Sequence, residues 1–256
     1  MSVPDDCKDC LRGYVWEGTP AGIETKLGAN VTYKVGSDPE VAVLVIHDLG
    51  GWTFPNLRLL ADYYAKEVGA TAFVPDFFGG EVLPLDALME GPASEAWAKL
   101  DISAFSAKNS KKIREPEIFG CVAALRSQLG FKKVVTVGYC FGGWAVFRLG
   151  SQEGAIPLVD AISTAHPSWL TKQEIAGTRV PSQIIAPEHD MQLTPELKKY
   201  ANETLPTLGV EYDYRYFPGL IHAFATKGDD RIPGEKQGAA RAKRAVASWF
   251  LQMLRD

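Results

Sequence analysis

The chain has 256 residues, 46% of them hydrophobic and 23% charged, enough apolar material to bury a large core without disulfides or a structural metal. Its 27 basic and 31 acidic side chains leave a formal net charge of −4 and a pI near 5.7, which gives the chain as a whole no attraction to nucleic acid or an anionic membrane. Met1-Ser2-Val3-Pro4-Asp5-Asp6 has no apolar secretory core, and the longest strongly apolar run, Val41 to Ile46, is far too short to span a bilayer.

Four cysteines make no disulfide framework, so a reduced, cytoplasmic protein is expected. Cys7 and Cys10 form a C-x-x-C. A zinc site would need a second ligand pair, which the nearby sequence lacks, and the pair reads as two loop thiols.

In chain order, Val31 to Val35 is an early strand and Val41 to His47 a fully buried one. Pro55 opens a helix with Leu57, Leu60, Ala61, Tyr64 and Val68 on one face and Gly69 as its stop. Ala70 to Pro75 is the next buried strand. Residues 81–112 are less regular and read as an excursion above the strand ends. Pro116 to Leu129 repeats the helical pattern through Ile118, Val122, Leu125 and Leu129, with Cys121 packed in it. Val134 to Val137 forms a strand, and further strands are expected at Leu158 to Thr164, Gln183 to Ala186 and Tyr212 to Phe217. A helix from Pro195 to about Leu205 separates the last two, and a C-terminal helix covers about Gly238 to Leu254. Strands alternating with helices of this length predict an α/β fold, a mostly parallel central sheet with helices on both faces, as one domain over residues 1–256.

The most informative segment is Gly138-Tyr139-Cys140-Phe141-Gly142-Gly143, between the Val134 to Val137 strand and a helical stretch. Strand, sharp turn and helix around G-x-nucleophile-x-G describe a nucleophile elbow, here with cysteine in place of the usual serine. A helix N-terminus favours a thiolate, and the thiol is expected at an exposed turn tip. Nucleophilic acyl transfer needs a base, and a carboxylate to orient it. In the chain order of such folds His222, after the last strand, is the histidine. Asp190, after the Gln183 to Ala186 strand, is the acid, with Glu188 as a weaker substitute and His189 structural or exposed. The oxyanion hole is assigned to the backbone N–H groups of Phe141 and Leu49, the latter in His47-Asp48-Leu49-Gly50-Gly51-Trp52.

These segments, with Pro55-Asn56-Leu57-Arg58, Val74-Pro75-Asp76-Phe77-Phe78-Gly79-Gly80 and Gly219-Leu220-Ile221-His222-Ala223-Phe224, resemble the dienelactone hydrolase family, in its eukaryotic, carboxymethylenebutenolidase-like branch. The resemblance implies the α/β-hydrolase fold, a Cys140-His222-Asp190 triad, hydrolysis of a lactone or ester, and no metal or organic cofactor. It also implies an acidic side chain beside the thiol where Asp48 stands, helping to position and deprotonate it, with a cap on the turn after its strand as the lesser alternative for Asp48. His47 reads as core.

The bacterial enzymes of the family hold a substrate carboxylate with arginines, one just after H-x-F-A. Here Thr226 stands at that place, with Lys227 and Arg231 nearby, and residues 81–112 contain no arginine. Trp52, His166 and Trp169 are candidate substrate contacts; His166 could instead satisfy a buried loop. The expected function is cysteine-dependent cleavage of a small lactone, ester or thioester by a monomer or homodimer, without nucleic-acid or membrane partners. The alternative is a catalytically silent fold that binds a ligand or partner.

Overall fold

The computed structural model describes residues 14–91, 94–151, 158–229 and 231–255. Cys7 and Cys10 lie outside the described residues. Eight strands form one sheet in the order β1-β2-β4-β3-β5-β6-β7-β8. β1 (Ile23–Leu27) and β2 (Asn30–Val35) make an antiparallel hairpin, and β2 also runs antiparallel to β4 (Thr71–Pro75). From β4 onward all neighbours are parallel: β3 (Val41–Ile46), β5 (Lys133–Tyr139), β6 (Ala161–Ala165), β7 (Ser182–His189) and β8 (Tyr212–Ile221). In β3 the pleat sends Ala42, Leu44 and Ile46 into one core layer and Val43 and Val45 into the other. A strand apolar at every position is therefore buried on both faces.

The helices supply those two layers. α1 (Pro55–Val68) buries Leu57, Leu60, Ala61 and Tyr64 on the side where α10 (Pro233–Met253) brings Ala242, Val246, Trp249 and Phe250. α5 (Lys111–Ala123) and α6 (Gly142–Leu149) cover the other side, with Ile118, Val122, Trp144 and Val146. Segment 81–112 holds three short helices, α2 (Leu85–Glu90), α3 (Glu95–Ala98) and α4 (Ile102–Lys108). The remaining helices are α7 (Lys172–Ala176), α8 (Pro195–Thr204) and α9 (Phe224–Lys227).

Several boundaries differ from the sequence expectation, each for a local reason. α5 begins at Lys111, so Pro116 lies inside the helix instead of opening it. The added turn is anchored by Arg114, a buried cation that donates to Asn109 Oδ1 at 2.9 Å and to Glu117 at 2.7 Å. The same helix passes into a π-helical turn, Ala124–Gln128. β6 starts at Ala161 and not at Leu158 because the Asp160 carboxylate turns back to Arg126 and to the Val134 N–H. β7 and β8 run longer than their apolar cores, through His189 and Ile221, with an irregularity between Pro187 and His189. Those extensions carry the chain to the positions of Asp190 and His222.

Candidate active site

β5 ends at Tyr139 and α6 begins at Gly142, leaving only Cys140 and Phe141 to reverse the chain. Cys140 adopts φ 46°, a left-handed conformation that costs a side-chain-bearing residue about 1–2 kcal/mol. Close approach dictates the flanking glycines: a Cβ on Gly138 would lie 2.1 Å from the Gly142 carbonyl oxygen, and one on Gly142 would lie 2.3 Å from that of Ile46. Cys140 stands at the turn tip yet is only 6% exposed, not open as the elbow pattern suggested. The loop after β6, His166-Pro167-Ser168-Trp169, accounts for this.

That loop is docked onto the elbow. Ser168 N–H donates to the Cys140 carbonyl at 2.7 Å, and the Cys140 N–H donates to that of Ala165 at 3.2 Å. Pro167 packs so closely on Gly143 that a Cβ there would be 2.2 Å from the proline Cβ. Two loop residues, His166 (φ 41°) and Trp169 (φ 58°), are also left-handed. The result places Ser168 Oγ 3.2 Å from Cys140 Sγ and 3.4 Å from His222 Nε2.

His222 follows β8 directly. Its Nδ1 lies 3.0 Å from each oxygen of Asp190, an acceptor-only pair that fixes the proton on Nδ1 and turns Nε2 toward Ser168 and the thiol. Asp190 is itself held by the N–H groups of Gln192 at 2.8 Å and Leu193 at 3.0 Å. Burial opposes charge on His222, but the Cys140 sulfur and the Asp190 carboxylate outweigh it and raise the imidazole to about 10. Burial pushes Asp190 up, and His222 with the two N–H donors overcomes it, leaving the carboxyl below its ordinary value. Glu188 points elsewhere: it accepts the Gly219 N–H at 2.7 Å and ties β7 to β8, and His189 beside it is exposed.

The remaining predicted residues divide into two groups. Phe141 is in the elbow and Leu49 in the loop after β3, the strand paired with β5, and among the described residues neither backbone N–H is taken by a protein acceptor. Trp169, 37% exposed, meets the Phe141 ring edge-on at 5.7 Å. Asp48 is fully buried with both oxygens engaged, one by Gly50 N–H at 2.7 Å and one by the Thr226 hydroxyl at 2.7 Å; no bond joins it to Cys140 among the described residues. Burial raises Asp48, but Lys227, Thr226 and Gly50 together bring it below its ordinary value. Its contacts are those of a turn cap. Trp52 is walled in under Arg58, whose guanidinium lies 4.8 Å from the ring.

His47 is core, with its Nε2 accepting the Phe77 N–H at 3.0 Å. His166 is also fully buried, 5.1 Å from His222 between ring centroids, and neither of its nitrogens has a hydrogen-bond partner among the described residues. Burial first, then His222, lowers it to about 3, so it is a neutral ring. Lys227 is buried against Asp48, and Arg231 pairs with Asp229. Among the described residues no group of three or more His, Cys, Asp or Glu side chains is placed to hold a metal ion, and no helix is long and apolar enough to cross a membrane.

The mostly parallel sheet with flanking helices and an elbow after β5 is an α/β-hydrolase fold, and the protein is a carboxylic ester hydrolase. Residues 27–254 match the dienelactone hydrolase family, and the chain belongs to that family. It is 29% identical to the hydrolase tropI of Talaromyces stipitatus over 96% of both chains. It is 28% identical to the carboxymethylenebutenolidase homolog of Homo sapiens, over 83% of this chain and 82% of the other. Among solved structures, the dienelactone hydrolase of Anabaena variabilis superposes with a TM-score of 0.63 at 13% identity, covering 90% of this chain and 96% of its own. Carboxyl esterase 2 of Tuber melanosporum gives 0.63 at 13% identity, covering 96% and 91%.

Proposed function

We propose that the protein cleaves a carboxylic ester or lactone through a covalent thioester on Cys140, with His222 as base and acid and Asp190 orienting it. The observation that carries this is the arrangement at the elbow: a left-handed cysteine within reach of an imidazole whose far nitrogen is held 3.0 Å from both oxygens of a buried aspartate. The thiolate attacks the carbonyl carbon, and the oxyanion that forms is met by the N–H groups of Leu49 and Phe141. His222 gives its Nε2 proton to the leaving alkoxide. It then takes one from water, which attacks the thioester, releasing the acid and regenerating the thiol.

An uncharged acyl group fits this site better than a small dicarboxylate. Thr226 stands where the bacterial enzymes place an arginine and is spent on Asp48, Lys227 is set against the same carboxylate, and Arg231 is paired at the surface. The neutral His166 ring and the Phe141–Trp169 pair offer a polar contact and an aromatic wall instead. The expectation is a higher kcat/KM for an uncharged aryl ester than for cis-dienelactone, with activity lost to iodoacetamide and kept after a serine-directed reagent. Efficient dienelactone turnover would overturn the substrate assignment. Activity that survives complete alkylation of Cys140 would overturn the thiol mechanism.

A further inference from the structure

The triad accounts for three of the four polar side chains that meet at the elbow; Ser168 is the fourth. The residue is only 7% exposed, and its hydroxyl lies 3.2 Å from Cys140 Sγ and 3.4 Å from His222 Nε2. The scaffold goes to some length to put it there. Two left-handed residues, His166 and Trp169, shape its loop, and a Cβ on Gly143 would strike the backbone of Pro167 at 2.5 Å. The Ser168 N–H is fastened to the carbonyl of the nucleophile itself at 2.7 Å. Backbone strain of this kind persists only where the surroundings over-determine it, and it gathers at working sites. The carboxylate of Asp48 is turned to Gly50 and Thr226, one on each oxygen, and no bond joins it to Cys140 among the described residues.

We propose that Ser168 is the hydrogen-bond donor that supports the Cys140 thiolate, beside the direct contact of His222. The inference rests on Cys140 being the nucleophile. His222, charged beside the sulfur and Asp190, meets Cys140 Sγ directly, and the Ser168 hydroxyl donates to the same sulfur at 3.2 Å. Forming the thiolate breaks one bond to hydrogen, Sγ–H, and makes one, Nε2–H, while the serine keeps its own proton and turns it toward the sulfur. No oxidant or further reactant is needed. The titratable groups around this chain of contacts are Asp190 and His166, which flank His222, and Asp48 behind them. Ser168 is thereby both the group that holds the thiol in register and the one that stabilises it as a nucleophile.

The test is the pH dependence of carboxamidomethylation by iodoacetamide, followed on the Cys140 peptide by mass spectrometry, in wild type, Ser168→Ala and Ser168→Thr. Ser168→Ala removes one oxygen and keeps the backbone bond to Cys140, so the loop stays docked. A hydrogen bond to a charged acceptor is worth enough to move the midpoint of alkylation upward by about one pH unit or more, and kcat/KM for an aryl ester should fall by about tenfold. Ser168→Thr restores the hydroxyl and should restore the midpoint. An unmoved midpoint in Ser168→Ala, or an equal shift in the alanine and threonine variants, would overturn the role of Ser168. Hydrolysis by Cys140→Ala at the wild-type rate would instead remove the nucleophile assignment, and the alkylation profile reads the Ser168 contact whether or not turnover depends on it.

Discussion

Gly143→Ala is the sharpest perturbation of the scaffold. Its new Cβ would sit 2.2 Å from Pro167 Cβ, 2.5 Å from Pro167 Cα and 3.0 Å from Thr164 Oγ1. Carbon atoms come to rest no closer than about 3.5 Å, so the loop has to withdraw by roughly 1.3 Å. Because Ser168 and Trp169 follow Pro167, the withdrawal opens the Ser168–Cys140 contact. Overpacking of this kind costs about 1–3 kcal/mol, which for a chain of this size lowers Tm by roughly 2–10 °C. A displacement of about 1 Å at a catalytic constellation lowers turnover by about a hundredfold. Thermal unfolding by circular dichroism and kcat/KM for an aryl ester measure both effects. Gly120→Ala is the control: Gly120 lies inside α5, and a Cβ there meets nothing within 4 Å. It should raise stability by about 0.5–1 kcal/mol and leave activity alone. A Gly143→Ala protein with the wild-type Tm and rate would refute the claim that the loop is pinned by this contact.

Further expectations concern the charges. Asp190→Asn should lower kcat about 10³- to 10⁴-fold by allowing the wrong imidazole tautomer, while Glu188→Gln, which keeps an oxygen for Gly219, should change kcat little; equal losses would reassign the acid. Thr226→Val keeps the shape but leaves one buried Asp48 oxygen without its donor, and a loss of about 1.5–3 kcal/mol in urea unfolding is expected; an unchanged midpoint would mean that the hydroxyl is dispensable. The neutral His166 gives an acid dependence. Unfolded, it takes up a proton near 6.5, and folded only near about 3, so the unfolded state binds more protons in that window. Stability is then full above 6.5 and falls with decreasing pH by up to about 1.4 kcal/mol per pH unit for this group. His166→Asn, which tolerates φ 41°, should flatten that slope, although His47, lowered in the same direction by burial, still contributes. An identical slope in the variant would show that His166 is protonated in the fold.

Much of the architecture was legible because the sheet is buried on both faces. β3, β4 and β5 are apolar runs whose length and bounding turns identify them without periodicity, and α1 carries both its Pro start and its Gly stop. The misses arise where tertiary contacts override local pattern. β1, Ile23-Glu24-Thr25-Lys26-Leu27, is an edge strand with few apolar residues and is visible only by its pairing with β2. The extra turn of α5 hangs on a buried arginine whose partners, Asn109 and Glu117, give no periodic signal.

At the site, the elbow announces itself because steric demands on Gly138 and Gly142 write themselves into sequence, and the order of Asp190 and His222 follows from the strands that carry them. Ser168 was hidden because it makes no motif. The available clue was Gly143, a glycine beyond the pentapeptide's own requirement, which signals something packed against the helix start. The engagement of Asp48 with Thr226 was equally hidden, since 178 residues separate them.

Whether Cys140 carries the acyl group is decided by steady-state hydrolysis of an uncharged aryl ester by Cys140→Ala. With the wild-type unfolding transition as proof of an intact fold, turnover should fall to the level of buffer alone. Hydrolysis by the variant close to the wild-type rate would contradict that role.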